Sequence, residues 1–214
     1  MTRLAIIDYG SGNVRSVQRA LEATAARQAI SLSACLTDDP DTIAAADRII
    51  LPGVGHFADC AAGLARRSGL TEALREAVFA RGRPFLGICV GMQLLAEMGR
   101  EDADTPGLGW IPGVVERLTP SDPALPVPHM GWNTLCDMTD HPVLTGLGGT
   151  PHVYFVHSYA MIASNPGDVA ARCDYGGAFT AALARETVFG VQFHPEKSQQ
   201  AGQRLLANFL RWTP

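Results

Sequence analysis

Hydrophobic residues in the first half of the chain follow two alternating spacings. Short apolar runs at residues 4–8, 48–51 and 84–88 predict buried strands. Between them, apolar residues recur every three or four positions, which predicts helices over residues 14–26 and 70–81. This alternation of strands and helices predicts an α/β fold with a central, mostly parallel sheet and helices on both faces.

The second half is richer in strand patterns, at residues 113–118, 153–157, 169–173, 178–184 and 188–193. A helix is expected over about residues 90–98, and an amphipathic helix over about 198–211 ends the chain. Residues 99–112 and 119–128 are rich in Gly, Pro and Asp and predict loops. Neither segment resembles a long linker, so we expect one domain over residues 1–214.

Composition narrows the possible partners and the compartment. The chain has 214 residues, of which 47% are hydrophobic and 18% charged, as in a globular protein with a sizeable core. A net charge of −4 leaves no basic surface for nucleic acid or for an anionic membrane. No apolar stretch approaches the roughly 20 residues that span a bilayer, and no signal peptide is recognisable. We therefore expect neither nucleic acid nor membrane as a partner.

The five cysteines are widely spaced and include no Cys-x-x-Cys pair. This spacing argues against a disulfide framework and against a zinc site, and we expect neither a metal nor a cofactor. The expected compartment is the reducing cytoplasm.

One cysteine lies where a predicted strand meets a predicted helix. Cys89 has Gly87 and Gly91 two positions away on either side. A sharp strand-to-helix turn can expose its central side chain above a sheet, as in a nucleophile elbow, and the glycines relieve its crowding. A helix N-terminus favours a thiolate, and the N–H of Val90 could stabilise an oxyanion. A buried cysteine in a glycine-rich turn would have the same local sequence, so the motif needs a base nearby.

His194 is the histidine whose setting fits a base. It ends an apolar run and is followed by Pro195 and Glu196. Proline favours an extended chain before it, and residues two apart in extended chain point to the same side, so Glu196 could orient the ring. Taken alone, the pattern favours a turn histidine beside a solvated glutamate. Since the carboxyl ends of parallel strands meet at one edge, the combination with Cys89 predicts a Cys–His–Glu triad.

A second glycine-rich turn follows the predicted strand at residues 48–51. Pro52 is followed by Gly53, Val54 and Gly55, whose backbone N–H groups could supply a second oxyanion donor. An ordinary strand-to-helix turn would have the same appearance.

The two catalytic motifs together, at residues 87–93 and 190–196, resemble those of the class I (triad) glutamine amidotransferases. Further motifs resemble the amidotransferase subunits of imidazole glycerol phosphate synthases. These motifs lie at residues 7–13, 52–55, 129–133, 154–159 and 193–198, and the resemblance runs from residue 6 to the last helix. Val90 stands where leucine is common in this family, which leaves a role of its backbone unaffected.

The resemblance implies a chemistry and a site. Cys89 would attack the carboxamide of L-glutamine, and His194, oriented by Glu196, would protonate the departing ammonia. The N–H groups of Val90, Gly53 and Val54 would hold the oxyanion, after a peptide flip in the glycine-rich loop. Gln93, one helical turn after Cys89, would contact the substrate. The other implied substrate contacts are Gly55, Glu101, His157, Ser158 and Tyr159.

The resemblance also implies a heterodimer with a (β/α)8-barrel cyclase. This partner would use the ammonia to make imidazole glycerol phosphate and aminoimidazole carboxamide ribotide in L-histidine biosynthesis. Ammonia released into neutral water is mostly protonated, so we expect a dry passage between docked subunits. Lys197, Asn13 and the turn at residues 10–12 flank the same sheet edge and are predicted to lie near the interface.

Other functions share some of these features. Sister amidotransferases serve anthranilate, pyridoxal phosphate or guanylate synthases. Anthranilate-type chains usually have Pro-Gly-Pro-Gly at the position of Pro52 to Gly55, and the Gly-Gly-Glu-Ser-Thr segment of pyridoxal-type chains is absent here. A non-catalytic protein on this fold would usually lack a triad residue. A thiol peptidase or esterase would act without a synthase partner.

Overall fold

A computed structural model describes residues 1–10 and 12–214, so Ser11 of the predicted interface turn lies outside the described residues. The α/β class is confirmed. The strands are β1 (Thr2–Ile7), β2 (Leu32–Thr37), β3 (Arg48–Gly53), β4 (Phe85–Cys89), β5 (Met98–Glu101), β6 (Ala103–Pro106), β7 (Gly113–Arg117), β8 (His129–Cys136), β9 (His152–His157), β10 (Tyr159–Ala163), β11 (Val169–Asp174), β12 (Ala178–Arg185) and β13 (Val188–Val191).

The helices are α1 (Val14–Arg27), α2 (Pro40–Ala45), α3 (Phe57–Ala65), α4 (Leu70–Arg75), α5 (Val90–Gln93) and α6 (Gln199–Arg211). A π-helical segment (Glu76–Ala80) continues α4, so the helix predicted over residues 70–81 is present with a change of winding. The apolar faces of α1 and α6 are buried as the spacing predicts. None of the helices in the described part of the chain is long and apolar enough to cross a membrane.

The larger sheet has two halves of different character. Among the described residues it contains nine strands, in the order β2-β1-β3-β4-β13-β12-β11-β8-β9. The pairs from β2 to β13 are parallel, whereas those from β13 to β9 are antiparallel. The prediction of a mostly parallel sheet therefore holds for the half that carries the strand-to-helix turns. The sheet as a whole is mixed.

The helix after β4 is much shorter than predicted. It ends at Gln93, whereas the periodicity extends to residue 98. The carbonyls of Leu94 and Leu95 accept hydrogen bonds from the backbone of Leu108 and Trp110, at 2.7 and 2.9 Å. These bonds tie the chain to a later loop, so the buried apolar residues that mimic a helical face lie in an irregular turn.

The segment at residues 99–112 was wrongly predicted to be loop. Its first part belongs to a second sheet of four strands among the described residues, in the order β10-β7-β5-β6. β5 and β6 form an antiparallel pair, and β5 is also parallel to β7. Glu101 is thus the last residue of a strand and does not lie in a loop.

Glycine at position 91 is required by a close approach between β3 and α5. A Cβ atom at Gly91 would lie 1.8 Å from the carbonyl oxygen of Leu51. A Cβ atom at Gly87 would lie 2.6 Å from the carbonyl oxygen of Gly91, and one at Gly53 would lie 2.6 Å from the backbone nitrogen of Gly91. The absence of side chains at these positions lets β3, β4 and α5 pack backbone against backbone around Cys89.

We predict that Gly91→Ala lowers the free energy of unfolding by about 3 kcal/mol or more, because the added methyl group overlaps a backbone atom that cannot move aside. Urea unfolding followed by circular dichroism measures the change. Gly149→Ala is the matched control: a Cβ atom there meets no atom within 4 Å, so its effect should stay within about 0.5 kcal/mol. Equal effects of the two substitutions would contradict the packing argument.

Candidate active site

Cys89 lies at the sharp turn between β4 and α5. Its backbone angles are φ 54° and ψ −113°, a conformation that costs a residue with a side chain on the order of 1–3 kcal/mol. β4 lies between β3 and β13 in the parallel half of the sheet. The turn therefore presents Cys89 at the carboxyl edge of the sheet, as the nucleophile-elbow pattern predicts. Because α5 has four residues, its dipole is small, and individual N–H groups matter more than the helix as a whole.

His194 and Glu196 form a buried pair beside this turn. Nδ1 of His194 lies 2.8 Å from Oε1 of Glu196, and the two side chains are 1% and 2% exposed. The backbone N–H of His194 donates to the carbonyl of Tyr154 in β9 at 2.9 Å. The hydroxyl of Ser198 donates to the carbonyl of His194 at 2.6 Å. The histidine is thus held by the strand beside it as well as by its own turn.

Asn13 stabilises the carboxylate of this pair. Its side-chain Nδ2 lies 2.5 Å from Oε1 of Glu196, the same oxygen that faces the His194 ring. The sequence predicts Asn13 near a partner interface. The structure places its amide on Glu196, at the start of α1.

The surroundings of His194 favour the protonated, positively charged form of its ring. Burial opposes the cation, but interactions with Cys89 and Glu196 outweigh it and raise the pKa of His194 to about 9. Burial also opposes the carboxylate, yet the hydrogen bond from His194 holds the pKa of Glu196 below its ordinary value. Nε2 of His194 is buried and has no hydrogen-bond partner among the described residues. That nitrogen is available to a reacting group.

A cavity of about 260 Å³ opens beside Cys89 and His194. This is near the lower end of the volumes typical of small-molecule sites, roughly 300–1,000 Å³, and suits a small ligand. Its walls come from the glycine-rich loop, α5, the end of β5, the segment before β8 and the β9–β10 connection. The other lining residues are Val54, Gly55, Val90, Gln93, Glu101, Pro128, Val156, His157, Ser158 and Tyr159.

The predicted oxyanion donors lie around this cavity. Gly53 is the register partner of Cys89 across the β3–β4 pair, and Val90 is the first residue of α5. Val54 and Gly55 line the cavity, and Gly55 has φ 103°, which suits glycine. The carbonyl of Val54 lies 3.6 Å from Sγ of Cys60. The carbonyl of Pro52 accepts from the hydroxyl of Tyr9 at 2.8 Å.

Comparison with known proteins agrees with this geometry. A family model described as glutamine amidotransferase class-I matches residues 5–212. The chain belongs to this family. It is 53% identical over 214 residues, 100% of both chains, to the imidazole glycerol phosphate synthase subunit HisH of Caulobacter vibrioides. It is 54% identical over 213 residues, 99% of this chain and 100% of the relative, to the same-named protein of Rhodospirillum rubrum.

Solved structures of glutamine amidotransferases share this fold. One described as a glutamine amidotransferase has a TM-score of 0.70 at 23% identity and covers 97% of each chain. A glutamine amidotransferase from Thermotoga maritima has a TM-score of 0.60 at 16% identity, over 95% of this chain and 80% of that one. At these identities the likeness concerns the fold.

The six substrate contacts implied by family resemblance all line the cavity. Nε2 of Gln93 donates to the carbonyl of Tyr159 at 2.9 Å and to Oε1 of Gln192 at 3.0 Å. Both of its amide hydrogens are therefore engaged within the protein. In the amidotransferase site Gln93 can offer its oxygen to a donor group of the ligand.

Glu101 has a structural partner as well as a place in the cavity wall. Its Oε2 accepts a hydrogen bond from the backbone N–H of Phe57 at 2.8 Å, at the first residue of α3. A carboxylate at a helix N-terminus is stabilised by the free N–H groups there. The contact with a substrate ammonium group remains a prediction.

The structure adds His129 and Gln192, two buried residues to which the sequence patterns assign no role in this site. His129 neighbours His157, with Nδ1 of His129 3.1 Å from Nε2 of His157. Burial lowers the pKa of each ring to about 4. Gln192 is fully buried, and its Nε2 lies 3.7 Å from Sγ of Cys89. A polar residue within an apolar strand that leads into a catalytic motif is the signal that could have drawn attention to Gln192.

Glu196→Gln should lower the pKa of His194 by at least about one unit, because it removes the charge from the acceptor of a buried hydrogen bond. The pKa of His194 lies above its ordinary value of 6.5, so its interactions stabilise the fold fully below about pH 6.5 and are lost as the pH rises through about 9. The free energy of unfolding should therefore fall more steeply over this window in the unmodified protein than in the variant. Ring titration by NMR and urea unfolding at several pH values measure both effects.

His157 and His129 provide an internal control in the same spectra. Their pKa of about 4 results chiefly from burial, so Glu196→Gln should leave both midpoints unchanged. A His194 midpoint that is the same in both proteins would contradict the assigned role of Glu196.

Proposed function

We propose that this chain is the glutaminase subunit of an imidazole glycerol phosphate synthase and hydrolyses L-glutamine to glutamate and ammonia. The observation that carries this proposal is the arrangement at the cavity. Cys89, on a strained turn, and His194, paired with the buried Glu196, line the same small cavity. Both Cys89 and Glu196 stabilise the positive charge of His194.

The chemistry begins with Cys89 as thiolate and His194 as cation. The sulfur attacks the side-chain carboxamide carbon of glutamine and forms a C–S bond, while the carbonyl oxygen becomes an oxyanion held by backbone N–H groups. His194 then gives its proton to the leaving nitrogen, the C–N bond breaks and ammonia departs. The product on the enzyme is a glutamyl thioester.

Hydrolysis of the thioester uses the same residues in the reverse sense. Neutral His194 takes a proton from water as the water oxygen attacks the thioester carbon, and the C–S bond then breaks to return the thiolate. Glu196 stabilises the cationic ring in both steps, and its position is fixed in part by Asn13 at 2.5 Å. The pair thus supplies one proton and recovers one proton in each turnover.

The ammonia has to reach a second active site, and the surface beside the cavity fits a docked partner. The β8–β9 patch, defined as Met130, Trp132, Tyr154 and Val156, lies on paired positions of these strands. Met130 is 62% and Trp132 47% exposed. Val156 also lines the cavity. Exposed aromatic and apolar residues of this kind mark protein interfaces.

The proposed partner is a (β/α)8-barrel cyclase, with the β8–β9 patch at the centre of the contact. Lys197 lies at the border of the patch, with its Nζ 5.6 Å from the centre of the Tyr154 ring. Its placement supports the predicted interface role. Asn13, engaged with Glu196, would act at the interface through the triad carboxylate. We place the reaction in the cytoplasm, in L-histidine biosynthesis.

Cys89→Ala should reduce glutamine-dependent synthesis at least about a thousandfold, because the nucleophile is lost. The complex should still make imidazole glycerol phosphate from free ammonia, because the cyclase site is untouched. Glutamate release and product formation are measured with the barrel cyclase and its ligand, at pH 8 with and without ammonium chloride. The isolated chain should show weak glutaminase activity that the complex stimulates strongly.

Cys173→Ala is the matched control, since Cys173 is a buried free thiol in β11, outside the cavity. It should keep glutamine-dependent activity. Full glutaminase activity without any partner, or glutamine use by Cys89→Ala, would overturn the proposal.

Trp132→Ala should weaken binding of the barrel cyclase by about 2 kcal/mol or roughly thirtyfold, as expected for an aromatic anchor in an interface. Lys197→Glu should reduce affinity or the coupling of glutamine hydrolysis to synthesis. Titration calorimetry gives the affinity, and the ratio of glutamate to product gives the coupling. Ile162→Ala is the control: Ile162 is 55% exposed in β10 but lies outside the patch. If neither Trp132→Ala nor Lys197→Glu changed affinity or coupling, the proposed docking surface would be wrong.

A further inference from the structure

Gln192 is a fully buried carboxamide beside the nucleophile. It follows β13 and precedes His194 by two residues, and its backbone N–H donates to the carbonyl of Ala181 at 2.9 Å. Its Nε2 lies 3.7 Å from Sγ of Cys89, and its Oε1 accepts from Gln93. Neither the triad nor the proposed oxyanion donors account for this side chain.

The orientation of this amide is fixed by a backbone carbonyl. The oxygen of Tyr159 can only accept, so the group of Gln93 at 2.9 Å from it must be the NH₂ group. The second hydrogen of that NH₂ group points to Gln192 at 3.0 Å, where it needs an acceptor. Gln192 must therefore turn its oxygen towards Gln93 and its NH₂ group towards the sulfur. A flip of either amide would bring two donors or two acceptors together.

Two neutral histidines support the same carbonyl from the other side. Nδ1 of His157 lies 2.9 Å from the oxygen of Tyr159, so this nitrogen carries the proton. Nε2 of His157 then accepts from Nδ1 of His129 at 3.1 Å. Both rings have a pKa of about 4 because burial disfavours the cation, so they stay neutral near pH 7. The oxygen of Tyr159 thus accepts from His157 on one side and from Gln93 on the other, and the donors that lead to Cys89 run from Gln93 through Gln192.

We propose that Gln192 is a further catalytic residue of this site, whose side-chain N–H donates to the sulfur of Cys89 and stabilises it as a thiolate before attack. This inference rests on the proposed function, because the thiolate is the proposed nucleophile. An N–H donor binds an anionic sulfur more strongly than a neutral one. The interaction therefore favours the reactive form, and it weakens once the sulfur is bonded to carbon.

The donor complements His194. The ring of His194 provides a positive charge that moves away as its proton is given to the leaving group, whereas the amide of Gln192 has no proton to lose. After proton transfer Gln192 still faces the sulfur, so the thiolate that returns at the end of the thioester hydrolysis again meets a donor. The two groups thus act at different moments of the cycle.

The test is the pH dependence of Cys89 alkylation by iodoacetamide, which needs no glutaminase turnover. Cys35 and Cys136 are exposed free thiols, so labelling of Cys89 is followed by peptide mass spectrometry. Gln192→Met keeps the approximate length of the side chain and removes the donor. It should raise the midpoint of the alkylation profile by about one unit and slow labelling about tenfold on the acidic side, with the alkaline plateau unchanged. Gln192→Glu, which keeps the acceptor for Gln93, should shift the midpoint in the same direction.

An unshifted midpoint in both variants would overturn the proposal, whatever happens to the plateau. Asn208→Asp is the matched control for replacing a hydrogen-bonded amide. Asn208 lies on α6, and its Nδ2 donates to the carbonyls of Val143 and Thr145 at 3.1 and 2.7 Å. This substitution should leave the Cys89 profile unchanged. Glutamine hydrolysis in the complex is measured separately. If the unmodified protein failed to use glutamine, the proposed function would be wrong. The alkylation profile would still test whether Gln192 stabilises the thiolate of Cys89.

Discussion

The structure depends on the contact between the backbone of α5 and the backbone of β3. A Cβ atom at Gly91 would overlap the carbonyl oxygen of Leu51, so no side chain fits at this position. This contact keeps α5 pressed against the end of β3 and forces the turn at Cys89 into a conformation that residues with side chains rarely adopt. The same packing brings Gly53 into register with Cys89. Cys89 and the glycine-rich loop are therefore positioned by one close-packed unit of the sheet.

A buried charge is the second constraint on this site. A histidine and a glutamate that are almost fully buried are stable as an ion pair only when each is well satisfied, because the desolvation penalty of each charge is several kcal/mol. Hydrogen bonds among His194, Glu196 and Asn13 satisfy one edge of the pair and the interaction with Cys89 adds to them, whereas Nε2 of His194 and Oε2 of Glu196 have no hydrogen-bond partner among the described residues. The raised pKa of His194 thus results from the same contacts that orient it. A change that disturbs these contacts would therefore alter both the orientation and the charge of this histidine.

Patterns in the sequence predicted the class of fold and pointed to the candidate catalytic motifs, because both depend on local features. Strand and helix periods, the spacing of Gly87 and Gly91, and the order His194-Pro195-Glu196 can all be recognised over a few residues. The β5–β6 hairpin and the short α5 could not be predicted this way, since both are decided by backbone bonds to distant segments. The contact of Asn13 with Glu196 spans 183 positions. Gln192 has the same limitation, because its partners come from β4, α5 and β12.

The proposed path of ammonia follows from the pleat of β8 and β9. Successive residues of a strand face opposite sides, so His129 and His157 point inward while Met130 and Val156, the adjacent pair, lie towards the outside. Val156 lines the cavity and also belongs to the β8–β9 patch. Val156 is therefore the residue that the cavity and the patch share. A partner seated on the patch would cover Val156 and exclude water from it, so ammonia that leaves the cavity at this residue would meet the second subunit before it meets solvent.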